Sequence, residues 1–180
     1  MLFAESVASL RDHTVIDFGS GLHQSQHLPI EAAAICRIDS SGVVASDFAP
    51  IGSNLYEVLE LIDVRQKTAV LAFRVFSVLD PDYLAHLLDL LSVRVQNVVI
   101  CDYFYNPQRS SEYVEIQTVL GPTATVTADW AIGQFYHYKP RQIADRLKMR
   151  VIEALNVTVP SVNNDVDYGM LLKFRAYSHD

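Results

Sequence analysis

Five consecutive residues, Asp17-Phe18-Gly19-Ser20-Gly21, have the types and spacing of a ligand-binding turn. Glycine lets the backbone turn tightly and approach a ligand closely, and a helix that begins there would direct amide donors at the ligand. Asp39 lies 18 residues after Gly21, where a carboxylate can accept hydrogen bonds from ribose hydroxyls. Together they predict a nucleotide-type ligand. The alternative is a tight strand–helix turn and an aspartate that caps the next segment.

Two further residues are candidates for proton transfer or substrate orientation. His137 lies among aromatic residues, and an imidazole titrates near neutral pH, so it can serve as a general base. Asp102 ends an apolar segment, where it would either orient a substrate or cap the following turn. His23 and His27 are four residues apart, but no third ligand is suggested nearby, and we therefore predict no metal site.

Apolar segments that alternate with helical ones must position these residues, and this alternation predicts an α/β sheet. A strand is predicted at 14–18, which is short, apolar and β-branched and ends at Gly19. A second strand is predicted at 33–39, which ends in an acid. The segments 69–76 and 97–101 are more uniformly apolar, which is typical of central parallel strands.

Capping residues and apolar spacing predict the helices. Asp80-Pro81 starts a helix whose leucines at 84, 87, 88 and 91 form one buried stripe. Lys139-Pro140 starts another, and Asn54 can cap a third with apolar residues at 55, 58, 59 and 62. Between Leu22 and Leu28 there is room for only about two helical turns, because Pro29 blocks continuation.

Three segments are less regular. Most of 40–67 has no clear pattern, and 103–139 is aromatic and rich in predicted loops. Residues 151–159 either extend the preceding helix or form a strand. Residues 169–177 are predicted to form the last strand, which closes an antiparallel hairpin.

Composition narrows the classes of function. Half of the 180 residues are hydrophobic, which excludes a disordered chain, and no apolar run is long enough for a membrane span. Fourteen basic against 21 acidic residues give a net charge of −7, so neither nucleic acid nor a membrane is expected as partner. Two isolated cysteines and the lack of a signal-peptide pattern favour a cytoplasmic location.

The order of these motifs resembles that of the class I S-adenosylmethionine-dependent methyltransferases. Asp17 to Gly21 resembles the family's first motif, acid-x-Gly-x-Gly, and Ile35 to Ser41 resembles the second, an apolar strand followed by an acid and a small polar residue. The later segments resemble the fourth strand with its turn, the fifth strand, the late loop and helix, and the final antiparallel strand: 69–79, 98–102, 135–147 and 168–177.

The resemblance implies S-adenosyl-L-methionine as the cofactor. The acid near the adenine, the family's third motif, would be Asp63 or Asp47, of which Asp63 is taken. The implied cofactor-binding residues are Asp17, Gly19, Ser20, Gly21, Asp39, Ser40, Asp63, Ala72 and Phe73. The loop with His137 should close over the acceptor, which makes His137 the first candidate base and Asp102 the second.

The implied fold is a three-layer, Rossmann-like α/β sandwich with a mostly parallel seven-stranded sheet and a C-terminal antiparallel hairpin. Residues 1–180 would form a single methyltransferase-like domain. The implied activity is methyl transfer to an oxygen or nitrogen of a small-molecule acceptor, and a homo-oligomer is compatible with the sequence.

Departures from the family pattern keep two other functions open. Leu22 to Pro29 lacks the usual small residue of the first helix, and Thr68 replaces an acid at the start of the fourth strand. These departures favour a methyltransferase-like binding or scaffold subunit without catalysis. A dinucleotide-dependent oxidoreductase is the third hypothesis, but Gln24 and Ser25 leave the pattern G-x-G-x-x-G incomplete.

Overall fold

The computed structural model describes residues 10–20, 30–63, 66–127, 134–160 and 166–177. In these ranges the strands are β1 (Thr14–Phe18), β2 (Ala34–Asp39), β3 (Gly42–Ser46), β4 (Thr68–Phe73), β5 (Asn97–Asp102), β6 (Val114–Thr118), β7 (Gly121–Thr127), β8 (Gln134–His137), β9 (Met149–Pro160) and β10 (Val166–Ala176). The helices are α1 (Leu55–Leu61), α2 (Pro81–Arg94) and α3 (Pro140–Leu147), with short 3₁₀ turns at 76–78 and 107–112.

The main sheet has seven strands in the order β3-β2-β1-β4-β5-β10-β9. The four adjacent strands β2, β1, β4 and β5 run parallel, and β1 pairs with both β2 and β4. β3 is antiparallel to β2, and β10 is antiparallel to both β5 and β9. The α/β class and the C-terminal hairpin are confirmed, but "mostly parallel" is only partly right, since the sheet is mixed.

The turn between β2 and β3 explains why the sheet is mixed. Asp39 pairs directly with Gly42, so only two residues connect the strands. A strand that runs parallel to its predecessor needs a crossover of a dozen or more residues. A connection of two residues therefore forces an antiparallel hairpin. Gly42 has φ +99°, and a Cβ there would lie 2.6 Å from the Gly52 carbonyl oxygen. β3 has only five residues, of which three are apolar, and this is too short for the sequence pattern to predict a strand.

The three helices begin where their capping residues predict. Asn54 accepts a hydrogen bond from the Glu57 amide, and the Glu57 carboxylate accepts one from the Asn54 amide. Asp80 caps α2 through the amides of Asp82 and Tyr83, with Pro81 in the first turn. The apolar faces of all three helices pack on one face of the main sheet and form the larger core.

The opposite face of the sheet carries a second, smaller apolar cluster. Val15, Ala69, Leu71 and Val99 come from three adjacent strands, and Leu10 packs against them. Each strand therefore contributes alternate residues to two layers of apolar contact, which explains why the inner strands are apolar along their length. Cys36 and Cys101, in the inner strands, are buried free thiols.

A separate three-stranded sheet, β6-β7-β8, occupies much of the segment predicted as aromatic loops. That prediction was wrong for 114–118, 121–127 and 134–137, where antiparallel pairing places His137 opposite Ala124. The aromatic and β-branched residues favour strands. The stretches 114–117 and 123–126 do alternate between apolar and polar residues, as half-buried strands do, but both are short.

The ambiguous segment 151–159 is part of a strand, β9, which pairs with β10 over eleven residue pairs. α3 ends at Lys148 in a left-handed conformation, φ +53°, which separates helix from strand. Among the described residues, no helix has the length and apolar character needed to cross a membrane.

Candidate cofactor site

A cavity of about 420 Å³ lies over the carboxyl ends of β1, β2 and β4. Three of the residues predicted to bind a nucleotide line it: Gly19, Asp39 and Ser40. The other lining residues are Phe18, Ile38, Gly42, Asn54, Leu55, Arg74, Val75, Val78, Leu79 and Tyr83. The parallel strands thus bring the glycine turn and the spaced acid together, as the sequence predicts.

Asp39 presents a carboxylate at this cavity. Its Oδ1 accepts a hydrogen bond from the Ser40 amide at 2.5 Å, which fixes the carboxyl group at the end of β2. Its Oδ2 has no hydrogen-bond partner among the described residues. An anchored carboxylate with one oxygen available can accept hydrogen bonds from the hydroxyls of a ligand.

The glycine turn serves a packing purpose as well. Gly19 has φ +72°, and a Cβ there would lie 2.1 Å from Cγ2 of Val75. The amides of Gly19 and Ser20 both donate to the Ile38 carbonyl oxygen, at 2.8 and 3.1 Å. These two amides therefore hold β1 against β2, and the glycine is required by Val75 and by the backbone conformation.

Four other predicted residues lie away from the lining of this cavity. Asp17 is buried, and its Oδ2 lies 3.7 Å from Nε of Arg37 on the neighbouring strand. Ala72 is part of the larger core, while Phe73 is partly buried at the end of β4 and Ser20 is buried in the turn. Gly21, like His23 and His27, lies outside the described residues.

Neither candidate for the third-motif acid reaches the cavity. α1 runs away from it, so Leu55 lines the cavity and the exposed Asp63 follows the other end of the helix. Asp47 accepts a hydrogen bond from the Ile35 amide at 2.8 Å, at the amino-terminal end of β2. Asn54, found in the sequence only as a helix cap, lies at the cavity instead.

Asp102 lies at the end of β5 and is 2% exposed. Its two oxygens accept hydrogen bonds from the amides of Ser77 (3.1 Å) and Tyr103 (2.8 Å), so it joins the turn after β4 to the turn after β5. Burial raises the pKa of the Asp102 carboxyl, and the hydrogen bonds from Ser77 and Tyr103 oppose that rise. This geometry favours the capping alternative over contact with a substrate.

Asp102→Asn tests that pKa. A carboxyl whose pKa is raised by folding stabilises the protein most below its unfolded pKa, and this stabilisation is lost as pH rises through the folded pKa. Asparagine does not titrate and leaves one amide without an acceptor, which costs about 1–3 kcal/mol. We expect the stability deficit of Asp102→Asn, measured by urea unfolding, to be largest near pH 4 and to narrow as pH rises. Asp63→Asn, at an exposed position, is the control, and a deficit that widens with pH contradicts the prediction.

An aromatic cluster lies beside the cavity. His137 stacks on Tyr113, with ring centroids 5.0 Å apart and an interplanar angle of 27°, and its ring centroid lies 6.5 Å from that of Tyr103. The Tyr103 ring in turn faces the guanidinium of Arg74 at 5.1 Å. β8 therefore brings His137 next to the end of β5, although it lines neither this cavity nor the next one.

A second cavity, of about 650 Å³, lies beyond this cluster. Its lining residues come from the segment after β5 and from the β9–β10 hairpin: Phe104, Tyr105, Asn106, Pro107, Gln108, Asn156, Gly169 and Met170. None of these described residues is charged, and three carry amide side chains. The arrangement can accommodate an uncharged ligand with an apolar body and a hydrogen-bonding edge.

Comparison with known proteins gives likeness in structure but not in sequence. No family model matches the chain, and no curated protein matches it. A Burkholderia thailandensis 1,6-didemethyltoxoflavin-N1-methyltransferase, solved with bound 1,6-didemethyltoxoflavin and S-adenosylhomocysteine, matches with a TM-score of 0.58 at 11% identity, over 98% of this chain and 76% of that one.

Two further structures agree. An S-adenosylmethionine-dependent methyltransferase from Methanosarcina mazei matches with a TM-score of 0.53 at 8% identity, over 92% of this chain and 93% of that one. The magnesium protoporphyrin IX methyltransferase of Synechocystis, solved with bound S-adenosylhomocysteine, matches with a TM-score of 0.50 at 12% identity, over 97% and 84%. The chain has the class I methyltransferase fold. This confirms the fold expected from the motifs.

Within this methyltransferase fold, sequence reasoning missed the wall of the cavity that comes from the turn after β4 and from α2. Arg74, Val75, Val78, Leu79 and Tyr83 line the cavity here. The resemblance of 69–79 to the fourth strand and its turn already pointed to this segment. What the sequence did not reveal is that the turn, rather than the end of β4 itself, faces the cavity.

Proposed function

We propose that the chain binds S-adenosylmethionine in the cavity at the ends of β1, β2 and β4 and transfers its methyl group to a small molecule. The observation that carries this proposal is Asp39, anchored by the Ser40 amide at the rim of a cavity that the glycine turn also lines. The S-adenosylhomocysteine in two structures of the same fold supports it.

The lining of the cavity suits a nucleoside. Asp39 would accept hydrogen bonds from the ribose hydroxyls, and Val78, Leu79 and the Tyr83 ring offer apolar surface for the adenine. The bound cofactor would supply the reactive methyl sulfonium, so the protein has mainly to orient it and exclude water. In this proposal the chain's contribution is positioning, since alignment of the acceptor with the methyl group supplies much of the rate.

The acceptor in this proposal is a small molecule that enters through the second cavity. The uncharged described lining and the net charge of −7 favour such an acceptor over nucleic acid. An acceptor hydroxyl needs a base, and His137, one aromatic ring away from Tyr105 of this cavity through Tyr113, is the candidate. A neutral amine would need none, so the proposal includes both oxygen and nitrogen acceptors.

Calorimetry with S-adenosylmethionine, S-adenosylhomocysteine and NAD tests the cofactor. We expect both sulfur nucleosides to bind and NAD not to bind. A ligand that binds only the folded protein also raises its stability, by about 2.7 kcal/mol at 100 times the Kd, so thermal unfolding gives a second measurement. Binding of NAD alone would favour the oxidoreductase, and binding of no ligand would refute the proposal.

Asp39→Ala tests the ribose contact. The variant should bind S-adenosylhomocysteine about 10- to 100-fold more weakly, because hydrogen bonds to a charged group are worth about 1.5–3 kcal/mol. Its thermal stability without ligand should barely change, since among the described residues the Asp39 carboxylate has only the neighbouring Ser40 amide as a hydrogen-bond partner. Asp63→Ala removes the same side chain outside the cavity and should leave affinity unchanged. Equal affinity in wild type and a folded Asp39→Ala would remove Asp39 from the site.

One observation favours a second function, that of a methyltransferase-like binding subunit without catalysis. Val75 packs against Gly19, and the amides of Gly19 and Ser20 are both engaged by the Ile38 carbonyl oxygen. The first two amides of the turn are thus not directed at a ligand. This alternative predicts that S-adenosylhomocysteine binds weakly or not at all and that no methyl transfer occurs with any acceptor in a metabolite screen.

A further inference from the structure

Arg74 is the only basic residue among the described residues that line the candidate cofactor cavity. It follows directly after β4, between the cavity and the end of β5. Its amide donates to the Cys101 carbonyl oxygen at 2.8 Å, which fixes the backbone of the turn to β5. The backbone position from which the Arg74 side chain reaches the cavity is therefore fixed by the sheet.

The backbone of Arg74 has φ +56°, in the left-handed region. Glycine adopts this region freely, whereas a long side chain there carries a steric cost. Strained residues of this kind cluster at ligand-binding sites, and the observed strain supports an inference about function. Because glycine would fit this backbone better, an arginine here indicates that its side chain has a function of its own.

The guanidinium of Arg74 has no carboxylate partner among the described residues. Its Cζ lies 5.1 Å from the centroid of the Tyr103 ring, so the ring orients it without neutralising it. Four of the other described arginines do pair with carboxylates: Arg11, Arg37, Arg141 and Arg146. The cavity thus contains a partly buried, oriented positive charge that is not compensated within the described part of the protein.

We propose that Arg74 binds a carboxylate of the ligand in this cavity. Planar guanidinium groups match carboxylates through two parallel hydrogen bonds. The inference rests on the proposed function where this carboxylate is that of the cofactor's amino-acid portion. β1 lies between β2 and β4, so the strands that precede Asp39 and Arg74 are about 10 Å apart. A single ligand with a nucleoside at one end and an amino acid at the other can therefore reach both residues. A carboxylate of the acceptor is the other source of the same chemistry.

Three probes separate these sources, each titrated into wild type and Arg74→Met by calorimetry. S-adenosylhomocysteine carries the carboxylate, 5′-methylthioadenosine carries the same nucleoside without it, and benzoate is a carboxylate without a nucleoside. We expect Arg74→Met to weaken S-adenosylhomocysteine about 10- to 100-fold and to leave 5′-methylthioadenosine unchanged. Arg74→Lys keeps the charge but not the planar fork, and should retain more affinity than Arg74→Met. Arg141→Met, an exposed change of equal charge, should alter nothing.

The outcomes are distinct. Benzoate is titrated into protein that is already saturated with 5′-methylthioadenosine. If Arg74→Met weakens only this binding of benzoate, the carboxylate belongs to the acceptor. An equal loss for both nucleosides would mean that Arg74 only maintains the turn, and this overturns the proposal, as does no loss for any probe. A wild type that binds neither nucleoside refutes the proposed function, and the benzoate comparison then decides the role of Arg74 alone.

Discussion

Gly19→Ala should lower the free energy of unfolding by about 2–5 kcal/mol. The left-handed backbone at φ +72° costs a residue with a Cβ about 1–2 kcal/mol, and overpacking adds about 1–3 kcal/mol. The overpacking arises because the new methyl group would lie 2.1 Å from Cγ2 of Val75. Urea unfolding measures the loss, and ligand affinity should fall with it because the turn must shift.

Gly52→Ala is the matched control for this prediction. Gly52 has φ +86°, but a Cβ there would meet nothing within 4 Å, so only the backbone term of about 1–2 kcal/mol should appear. Both variants restrict the unfolded chain alike. In a Val75→Ala background, Gly19→Ala should cost little more than Gly52→Ala does. If Gly19→Ala and Gly52→Ala cost the same in the wild-type background, Val75 is not what requires the glycine.

His137→Ala should lower turnover with a hydroxyl acceptor by about 10²–10⁴-fold, the usual contribution of a positioned general base. Affinity for S-adenosylhomocysteine should be unchanged, because His137 does not line the cofactor cavity. The assay needs an acceptor, which a metabolite screen for methylated product must first supply. The rate is compared at saturating cofactor and acceptor, so that changes in binding do not contribute.

His86→Ala controls for the loss of an imidazole, since His86 is an exposed residue of α2. The stacking of His137 on Tyr113 means that alanine also removes packing, so the folded fraction must be measured by circular dichroism before rates are compared. Wild-type turnover in a folded His137→Ala would exclude the base. It would leave an amine acceptor, which needs no base.

Local chemistry was sufficient to predict the four parallel strands of the main sheet and the three described helices. Asp80 and Pro81 specify the start of α2. The Asp80 side chain caps the first backbone N–H groups, and Pro81 has no N–H that would need a partner there, so both signals come from adjacent residues. The strand 14–18 was predicted with the bounds that the structure gives, because its residues are β-branched and apolar. These signals do not depend on what the element packs against.

The parts that depend on pairing partners could not be predicted in the same way. β6 to β8 stabilise one another through cross-strand contacts, and such contacts are not visible along a single segment. The direction of β3 depends on a two-residue turn that ends at Gly42. Position 42 must be glycine because Gly52, ten residues later, packs against it. Asp102 shows the same limit, since only the fold brings the Ser77 amide to it.

Part of the candidate site followed from spacing, and part did not. Asp39 and Gly19 converge because adjacent parallel strands end at one edge, so a spacing along the chain becomes a distance in space. Asp63 does not converge with them because the seven residues of α1 carry the chain about 10 Å away from that edge. Arg74 had no sequence signal, since its significance comes from its backbone conformation and from the Tyr103 ring.

The position of β10 between β5 and β9 affects how the protein emerges from the ribosome. β5 is buried along its whole length in the finished sheet, yet its outer neighbour is made some 65 residues later, which takes seconds at about 5–20 residues per second. Until then, Val98, Val99 and Ile100 form an apolar strand with an open edge, which is a template for pairing with other chains. The strand order therefore makes a nascent chain with only β1 to β9 a natural client for chaperones that bind exposed apolar strands.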